Sequence, residues 1–151
     1  MMDSRCVPIS YDDPAVLARY DATLTELHRF ADDPVAAIED ILIEHPDFAL
    51  GHIFRAVCFA GGSTARYIPA MEHSLSHAEA IGTPLNERER GLVAAVRKRC
   101  TGDWRGAQQA VEAILAAFPR DSLALHFGHQ LDFLLGDSLN LRGRVERVFP
   151  Y

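Results

Sequence analysis

Cysteine is scarce in this chain of 151 residues, which contains only Cys6, Cys58 and Cys100. An odd number of cysteines without a C-x-x-C spacing excludes a disulfide framework and a zinc knuckle. Cys58 and Cys100 stand within apolar segments of helical period, so we expect both to be small buried side chains. A catalytic cysteine needs a neighbour that lowers its pKa, and the sequence nominates none.

Long apolar runs and an excess of basic residues are also absent. No run approaches the roughly 20 residues needed to span a bilayer, and residues 1–5 lack the apolar stretch of a secretion signal. The formal net charge is −6, whereas nucleic acids and anionic lipid surfaces attract basic proteins. The sequence therefore predicts a cytoplasmic protein whose partner is neither a nucleic acid nor a membrane.

Catalytic and cofactor-binding motifs are missing as well. The chain has no glycine-rich phosphate loop, no G-x-S-x-G turn and no recognisable pair of catalytic carboxylates. The run Gly61-Gly62-Ser63-Thr64 lacks the lysine of a nucleotide-binding loop, so we interpret it as a turn between helices. We therefore predict no catalytic residue, no cofactor and no enzymatic activity.

Helix start signals are abundant. Asp13-Pro14 and Asp33-Pro34 each place a capping carboxylate before a proline in the first helical turn, and Asn86 with Glu89 forms a capping box. Apolar residues recur with a helical period after each signal. The sequence predicts an all-α fold with helices over about 14–31, 34–45, 47–60, 68–81, 87–100, 104–118, 121–135 and 138–149.

The clearest unit begins at Gly102-Asp103-Trp104. This turn, its aromatic residue and the apolar residues that follow at helical spacing up to Pro119 match the second helix of a tetratricopeptide-type hairpin. We expect Trp104 to pack within the hairpin and not to stack on a ligand. We also expect burial at Ala107, which lies at a close approach between helices, and at Val111, Ile114 and Leu115.

Proline spacing extends this unit along the chain. Pro46, Pro84 and Pro119 stand 38 and 35 residues apart, each before a helix start, and the tetratricopeptide period is 34 residues. We predict one domain, residues 1–151, folded as a right-handed α–α superhelix of about four antiparallel hairpins. A generic helix bundle with accidental proline spacing is the alternative. The predicted parts are an N-terminal arm over 1–12 and hairpins over about 13–45, 46–82, 84–119 and 120–150. Glycines at 61–62, 82, 102 and 136 are suited to left-handed helix ends or to tight turns between helices.

Six segments carry a more detailed likeness, and several of them are not explained by the repeat consensus. They stand at residues 20–24, 45–52, 84–89, 102–104, 118–125 and 148–151. Together they resemble the opening part of the tetratricopeptide repeat protein 38 family and its bacterial relatives, over residues 12 to 151. The resemblance implies an all-α superhelix and carries no catalytic motif. Relatives continue past the position of Tyr151 with further hairpins, so it also implies a short family member or a fragment.

Histidines are the most chemically suggestive residues. His73 and His77 share a helix face at the spacing of a zinc-binding pair, but the intervening residues lack the glutamate of H-E-x-x-H. We interpret them as a solvated polar face and predict no metal site. His52 and His126 stand at matching places in two repeats, and each is expected to be a partly buried histidine with one hydrogen bond.

Basic residues concentrate near one predicted helix end. Arg97-Lys98-Arg99 point in three directions around a helix, so they do not form one patch. Their expected role is to complement the negative end of the helix dipole. An anionic ligand site that also uses Arg88, Arg90 and Arg105 is the alternative.

The leading functional hypothesis is a non-enzymatic scaffold or adaptor for a protein or peptide partner. In tetratricopeptide arrays the first helix of each hairpin lines the concave face, across which a peptide can lie. The alternative is an enzyme or small-molecule binder that uses His52, His126, His129 and Asp132 on that face. The predicted peptide-binding residues on the concave face are Glu89, Arg99, His126 and Gln130.

The last predicted helix suggests self-association. It carries apolar residues that the next hairpin of a longer array would cover, and uncovered apolar surface drives association. We therefore expect a two-fold homodimer through the C-terminal hairpin. Alternatively, Arg142, Arg144, Glu146 and Arg147 make this helix polar enough to cap the array. The apolar residues are Leu139, Leu141, Val145, Val148 and Phe149.

Overall fold

The structure is a computed structural model that describes residues 1–30 and 33–150. Within these residues the chain is all-α, with no strand and a single isolated β-bridge between Met2 and Pro8. None of the described helices is long and apolar enough to cross a membrane. The helices are α1 (Pro14–Arg29), α2 (Pro34–Glu44), α3 (Ala49–Ala60), α4 (Ile68–Ala80), α5 (Glu87–Cys100), α6 (Trp104–Ala117), α7 (Ser122–Leu134) and α8 (Ser138–Val148), with a short 3-10 turn (Ala65–Tyr67) before α4.

Side-chain caps set the helix starts that the sequence signals predict. The Asp13 carboxylate accepts hydrogen bonds from the first-turn amides of α1, and Asp33 does the same for α2. α1 ends at Arg29 because Phe30 adopts a left-handed conformation with φ 53°. The predicted end of α1, at residue 31, lies outside the described residues, and so does Tyr151. α3 begins at Ala49 and not at 47, because the Phe48 amide closes a turn onto the His45 carbonyl.

The helices pack mainly against their neighbours in the chain, and α3 also contacts α5 and α7. This central position explains why nine of its twelve residues are buried. Three aromatic residues, Tyr20, Phe48 and Phe54, meet edge to face where α1 and α3 come together. The apolar core is therefore continuous from α1 to α7.

The predicted register of α6 is confirmed. Ala107 and Val111 are fully buried, and Ile114 and Leu115 are each 5 % exposed. The close approach to α5 lies at Gly91, where an added Cβ would come within 2.8 Å of the Ile114 side chain. Trp104 packs against the core from the start of α6.

Two glycine turns have the same hydrogen bonds and stand 34 residues apart. Gly102 and Gly136 have φ of 81° and 66°. In each turn the glycine amide donates to the carbonyl of the residue three positions before the glycine. The amide of the aspartate that follows donates to the carbonyl of the residue five positions before that aspartate. Asp103 and Asp137 then cap α6 and α8. Among the described glycines only these two have positive φ, so the left-handed option is wrong at residues 61, 62 and 82.

The two proline junctions also have one geometry. His45 and Phe118 end α2 and α6 with φ/ψ of −129°/69° and −129°/71°. In both junctions the amide three residues later, at Phe48 and Asp121, donates to the carbonyl of this last residue. The sequence likeness between residues 45–50 and 118–123 therefore corresponds to a shared backbone conformation.

The N-terminal arm docks onto the start of α5. Met1 and Ile9 exchange backbone hydrogen bonds, and Val7 and Ile9 are buried. The Asn86 carboxamide nitrogen donates to the Pro8 carbonyl at 3.1 Å. The arm is thus held by backbone and side-chain hydrogen bonds as well as by apolar contact.

Candidate functional site

A buried ion pair joins α5 to the start of α7. The Arg88 guanidinium donates to both carboxylate oxygens of Asp121 at 2.6 and 3.1 Å, and both side chains are essentially excluded from solvent. Burial opposes the charge on Arg88, but the Asp121 carboxylate outweighs burial and raises the pKa of Arg88. Burial also raises the pKa of the neighbouring Tyr20 hydroxyl. This cluster connects α1, α5 and α7 through polar groups in the middle of the core.

Glu89, the first predicted peptide-binding residue, is fully buried. One carboxylate oxygen accepts from the Asn86 amide and completes the predicted capping box, and the other accepts from the Ser10 amide of the N-terminal arm. Both oxygens therefore serve the chain's own fold. A peptide could reach Glu89 only after these hydrogen bonds open.

Arg99, the second predicted binding residue, is 3 % exposed. Its guanidinium carbon lies 3.6 Å from the centroid of the Trp104 ring, and an Nη donates to the Gly62 carbonyl at 2.7 Å. The guanidinium thus tethers the turn after α3 to the α5–α6 hairpin. Trp104 offers this ring face to Arg99, as expected for a residue that packs within its hairpin.

His126 and Gln130 lie one turn apart on α7, and each has a buried polar atom without a partner, Nε2 and Oε1 respectively. The His126 ring meets the rings of His28 and Phe30 at the end of α1. Burial lowers the pKa of His126 to about 4, with His28 and His129 adding to the effect. The Gln130 carboxamide packs against Gly61, where an added Cβ would overlap it.

Asp132, a residue of the alternative hypothesis, belongs to a buried network that holds α8. Both of its oxygens accept from Arg144, at 2.7 and 2.9 Å, and one also accepts from Gln108 at 2.7 Å. Arg144 also donates to Glu112 on α6 at 2.6 Å. In the alternative that polar residues make α8 a cap, Arg144 does not contribute to the polar outer face, because its pair with Asp132 turns it inward.

His52, also from the alternative hypothesis, lies apart from His126 and lines a cavity of about 380 Å³ beside α2 and α4. Its Nε2 donates to the Pro46 carbonyl at 2.9 Å. His73 and His77 of α4 line the same cavity with Arg55 and Glu39. The structure therefore gathers three histidines at this cavity. His129 is exposed and lies on α7, three residues after His126.

Cys58 and Cys100, which we expect to be buried, are only partly buried. Burial raises the pKa of Cys58 to about 12 and also raises that of Cys100. A thiolate nucleophile at Cys58 is disfavoured at neutral pH, because its charge would be buried.

The sequence alone did not identify Arg88 and Arg144 as buried. From the sequence, Arg88 is interpreted as one of a group of basic residues, and Arg144 as part of a polar face of the last helix. Arg88 stands four residues before Leu92 and eight before Val96, on the stripe that predicts the core side of α5. A charged residue on an apolar stripe is the signal that could have identified it.

No protein-family model matches the sequence, and no solved structure matches the chain. The resemblance to the tetratricopeptide repeat protein 38 family therefore stays a hypothesis, supported by the residues that suggested it.

Proposed function

We propose that this chain is a tetratricopeptide-like scaffold, a right-handed superhelix of helical hairpins that binds another protein. Two observations support the repeat. The turns at Gly102 and Gly136 share their hydrogen bonds at a spacing of 34 residues, which is the tetratricopeptide period. The junctions at Pro46 and Pro119 share their backbone angles.

The observation that carries the binding proposal is the outer face of α8. Leu139 and Phe149 are 86 % and 85 % exposed, and Val145 is 41 % exposed. At 100° per residue these three side chains fall within one arc of about 120°. Arg144, the one fully buried residue of α8, points to the other side. Large apolar side chains gathered on one exposed helix face are typical of a helix-docking surface.

A second copy of the chain is the partner that this face fits best. Arg142 and Glu146 lie within the same arc and are exposed. When two α8 helices pair antiparallel about a two-fold axis, the arginine of each faces the glutamate of the other, and Leu139 approaches Phe149. The surface is thus complementary to itself in charge and in apolar contact.

Sedimentation of the purified chain at micromolar concentrations tests this proposal. We expect a dimer that Leu139→Glu and Phe149→Glu each convert to a monomer of unchanged helicity. Ile43→Glu is the matched control, because Ile43 is also a large exposed apolar residue but lies on α2. A single species of monomer mass up to about 100 µM, on the order of a weak association, would contradict the dimer.

The competing small-molecule or enzymatic function receives no support from the contacts of three of its four residues. His52 contacts the α4 histidines, His126 contacts α1, and Asp132 is held by Arg144 and Gln108. Acid–base catalysis requires an oriented pair of groups at one place, whereas these side chains belong to three separate clusters.

A further inference from the structure

Helix α8 buries less of itself than the other described helices. Each of α1 to α7 buries three or more residues, whereas α8 buries only Arg144. Among the apolar side chains of α8, Val148 is the one that packs against the apolar core in the described part of the chain. Burial of apolar surface is the main force that holds the elements of a fold together. Helix α8 is therefore docked with little of this force.

The principal neighbour of α8 is α7, and two cavities lie between α8 and α6. Their volumes are about 260 and 390 Å³. The same three side chains, Glu112, Arg144 and Arg147, line both cavities, and both arginines pair with the Glu112 carboxylate, at 2.6 and 3.0 Å. The contact between α6 and α8 is thus made largely by ion pairs beside open space.

One buried ion pair fastens α8 to α7. The Arg144 guanidinium donates to both oxygens of Asp132, and both side chains are almost fully excluded from solvent. Burial opposes the charge on Arg144, but Asp132 and Glu112 outweigh burial and raise the pKa of Arg144. Gln108 of α6 extends this network to the first turn of α8, because it donates both to Asp132 and to the helix cap Asp137, at 2.7 and 3.0 Å.

We propose that α8 opens from α7 as a separate unit, and that the Arg144–Asp132 pair is the latch that keeps it docked. Elements with few buried apolar contacts open before the rest of a fold. The turn at Gly136 marks the boundary of the unit, since no atom lies within 4 Å of the place where a Cβ would stand on this glycine. Movement of this turn therefore disturbs little side-chain packing.

Opening of the latch removes the exposed apolar face of α8. The helix has 11 residues, and an isolated helix of this length is marginal in water. Once undocked, α8 loses its helical form, and Leu139, Val145 and Phe149 no longer share one face. The latch is a property of the single chain, and only its effect on partner binding rests on the proposed function.

Replacement of Arg144 should open α8 and leave the rest of the fold closed. Arg144→Met leaves the Asp132 carboxylate buried without its partner while α8 is docked, which strongly destabilises that state. In the open state Asp132 regains contact with water, so local opening relieves the cost. We expect the equilibrium constant for opening of α8 to rise about 100-fold or more, as loss of a buried ion-pair partner predicts.

Hydrogen exchange of backbone amides, measured by mass spectrometry of peptides, tests the latch. The background is Leu139→Glu, so that self-association does not protect α8. In this background α8 should exchange faster than α3, and Arg144→Met should remove most of the remaining protection of α8 while α3 stays slow. Val148→Ala is the matched control, because it trims the α8 side chain that packs against the core and should open α8 less. Arg88→Met, which breaks the Arg88–Asp121 pair inside the core, should instead speed exchange in α3 as well.

Three results would overturn the proposal. They are equal protection of α8 and α3 in the background variant, unchanged protection of α8 in Arg144→Met, and acceleration of α3 as large as that of α8. Circular dichroism shows whether Arg144→Met folds. If it does not, Glu112→Gln removes a half-exposed partner of Arg144 and should still open α8 selectively. Sedimentation of the unmodified chain reports the dimer separately, so a monomer there would contradict the proposed function and not the latch.

Discussion

Removing the charge of Arg88 should destabilise the protein more than removing any exposed arginine. Arg88→Met leaves the Asp121 carboxylate buried without the guanidinium that now donates to both of its oxygens. Breaking a buried pair in this way costs about 3–5 kcal/mol of the free energy of unfolding. For a domain of this size that corresponds to a fall in Tm of about 6–20 °C.

Equilibrium urea unfolding followed by circular dichroism measures this loss. Asp121→Asn should retain the α7 cap, because an asparagine can still accept from the Ala124 amide. The double variant Arg88→Met/Asp121→Asn removes both charges, and we expect it to be more stable than Arg88→Met alone. Arg19→Met is the control, since its pair with Glu44 is exposed and lies away from α8, and exposed ion pairs contribute little to stability.

The reasoning fails if Arg88→Met costs less than about 1 kcal/mol, the range of surface substitutions. It also fails if the loss is the same in the Asp121→Asn background. In that case Arg88 acts through its packed side chain and not through the carboxylate.

Three further predictions concern packing, capping and pH. Gly128→Ala should lower the free energy of unfolding by about 1–3 kcal/mol, because the added Cβ would lie within 3.0 Å of Val111 and of the Arg144 guanidinium. Gly82→Ala is the control, and thermal melts should show no change because no atom lies within 4 Å of its added Cβ. Asp13→Ala should cost about 1 kcal/mol in urea unfolding by removing the α1 cap. Burial lowers the pKa of His126 to about 4 in the fold, against an ordinary 6.5. Between these pH values the unfolded chain binds more protons than the folded chain, so stability should fall as pH drops from 6.5 toward 4, by about 3 kcal/mol at most. Unfolding curves of His126→Phe should show a smaller decline over the same pH range.

The helices were predictable because their signals are local. A cap such as Asp13 or Asn86 satisfies amides within three residues of itself, so its effect can be inferred from a short stretch of sequence. The α6 register was predictable for the same reason, since one apolar stripe covers Ala107 to Leu115. The helix end at Phe30 was not, because a left-handed phenylalanine has no sequence signature of the kind that glycine provides.

The candidate site was much less predictable. Arg88 and Asp121 are 33 residues apart, and Asp132 and Arg144 belong to different helices. Nothing local distinguishes an arginine that will meet a buried carboxylate from one that will remain in water. The grouping of His52 with His73 and His77 likewise depends on how α3 packs against α4, which the helical period of either segment does not specify.

The fate of the predicted concave-face residues follows from how the odd-numbered helices meet. In an open superhelix these helices line a groove, and polar residues on them face a ligand. Here α3 contacts α5 and α7, and the Arg88–Asp121 pair lies against Tyr20 of α1. Glu89 and Arg99 of the inner layer find partners within the chain, whereas His126 and Gln130 each keep a buried polar atom without one. These contacts leave little free polar surface on the inner layer, so we place the proposed partner site on the exposed apolar face of α8.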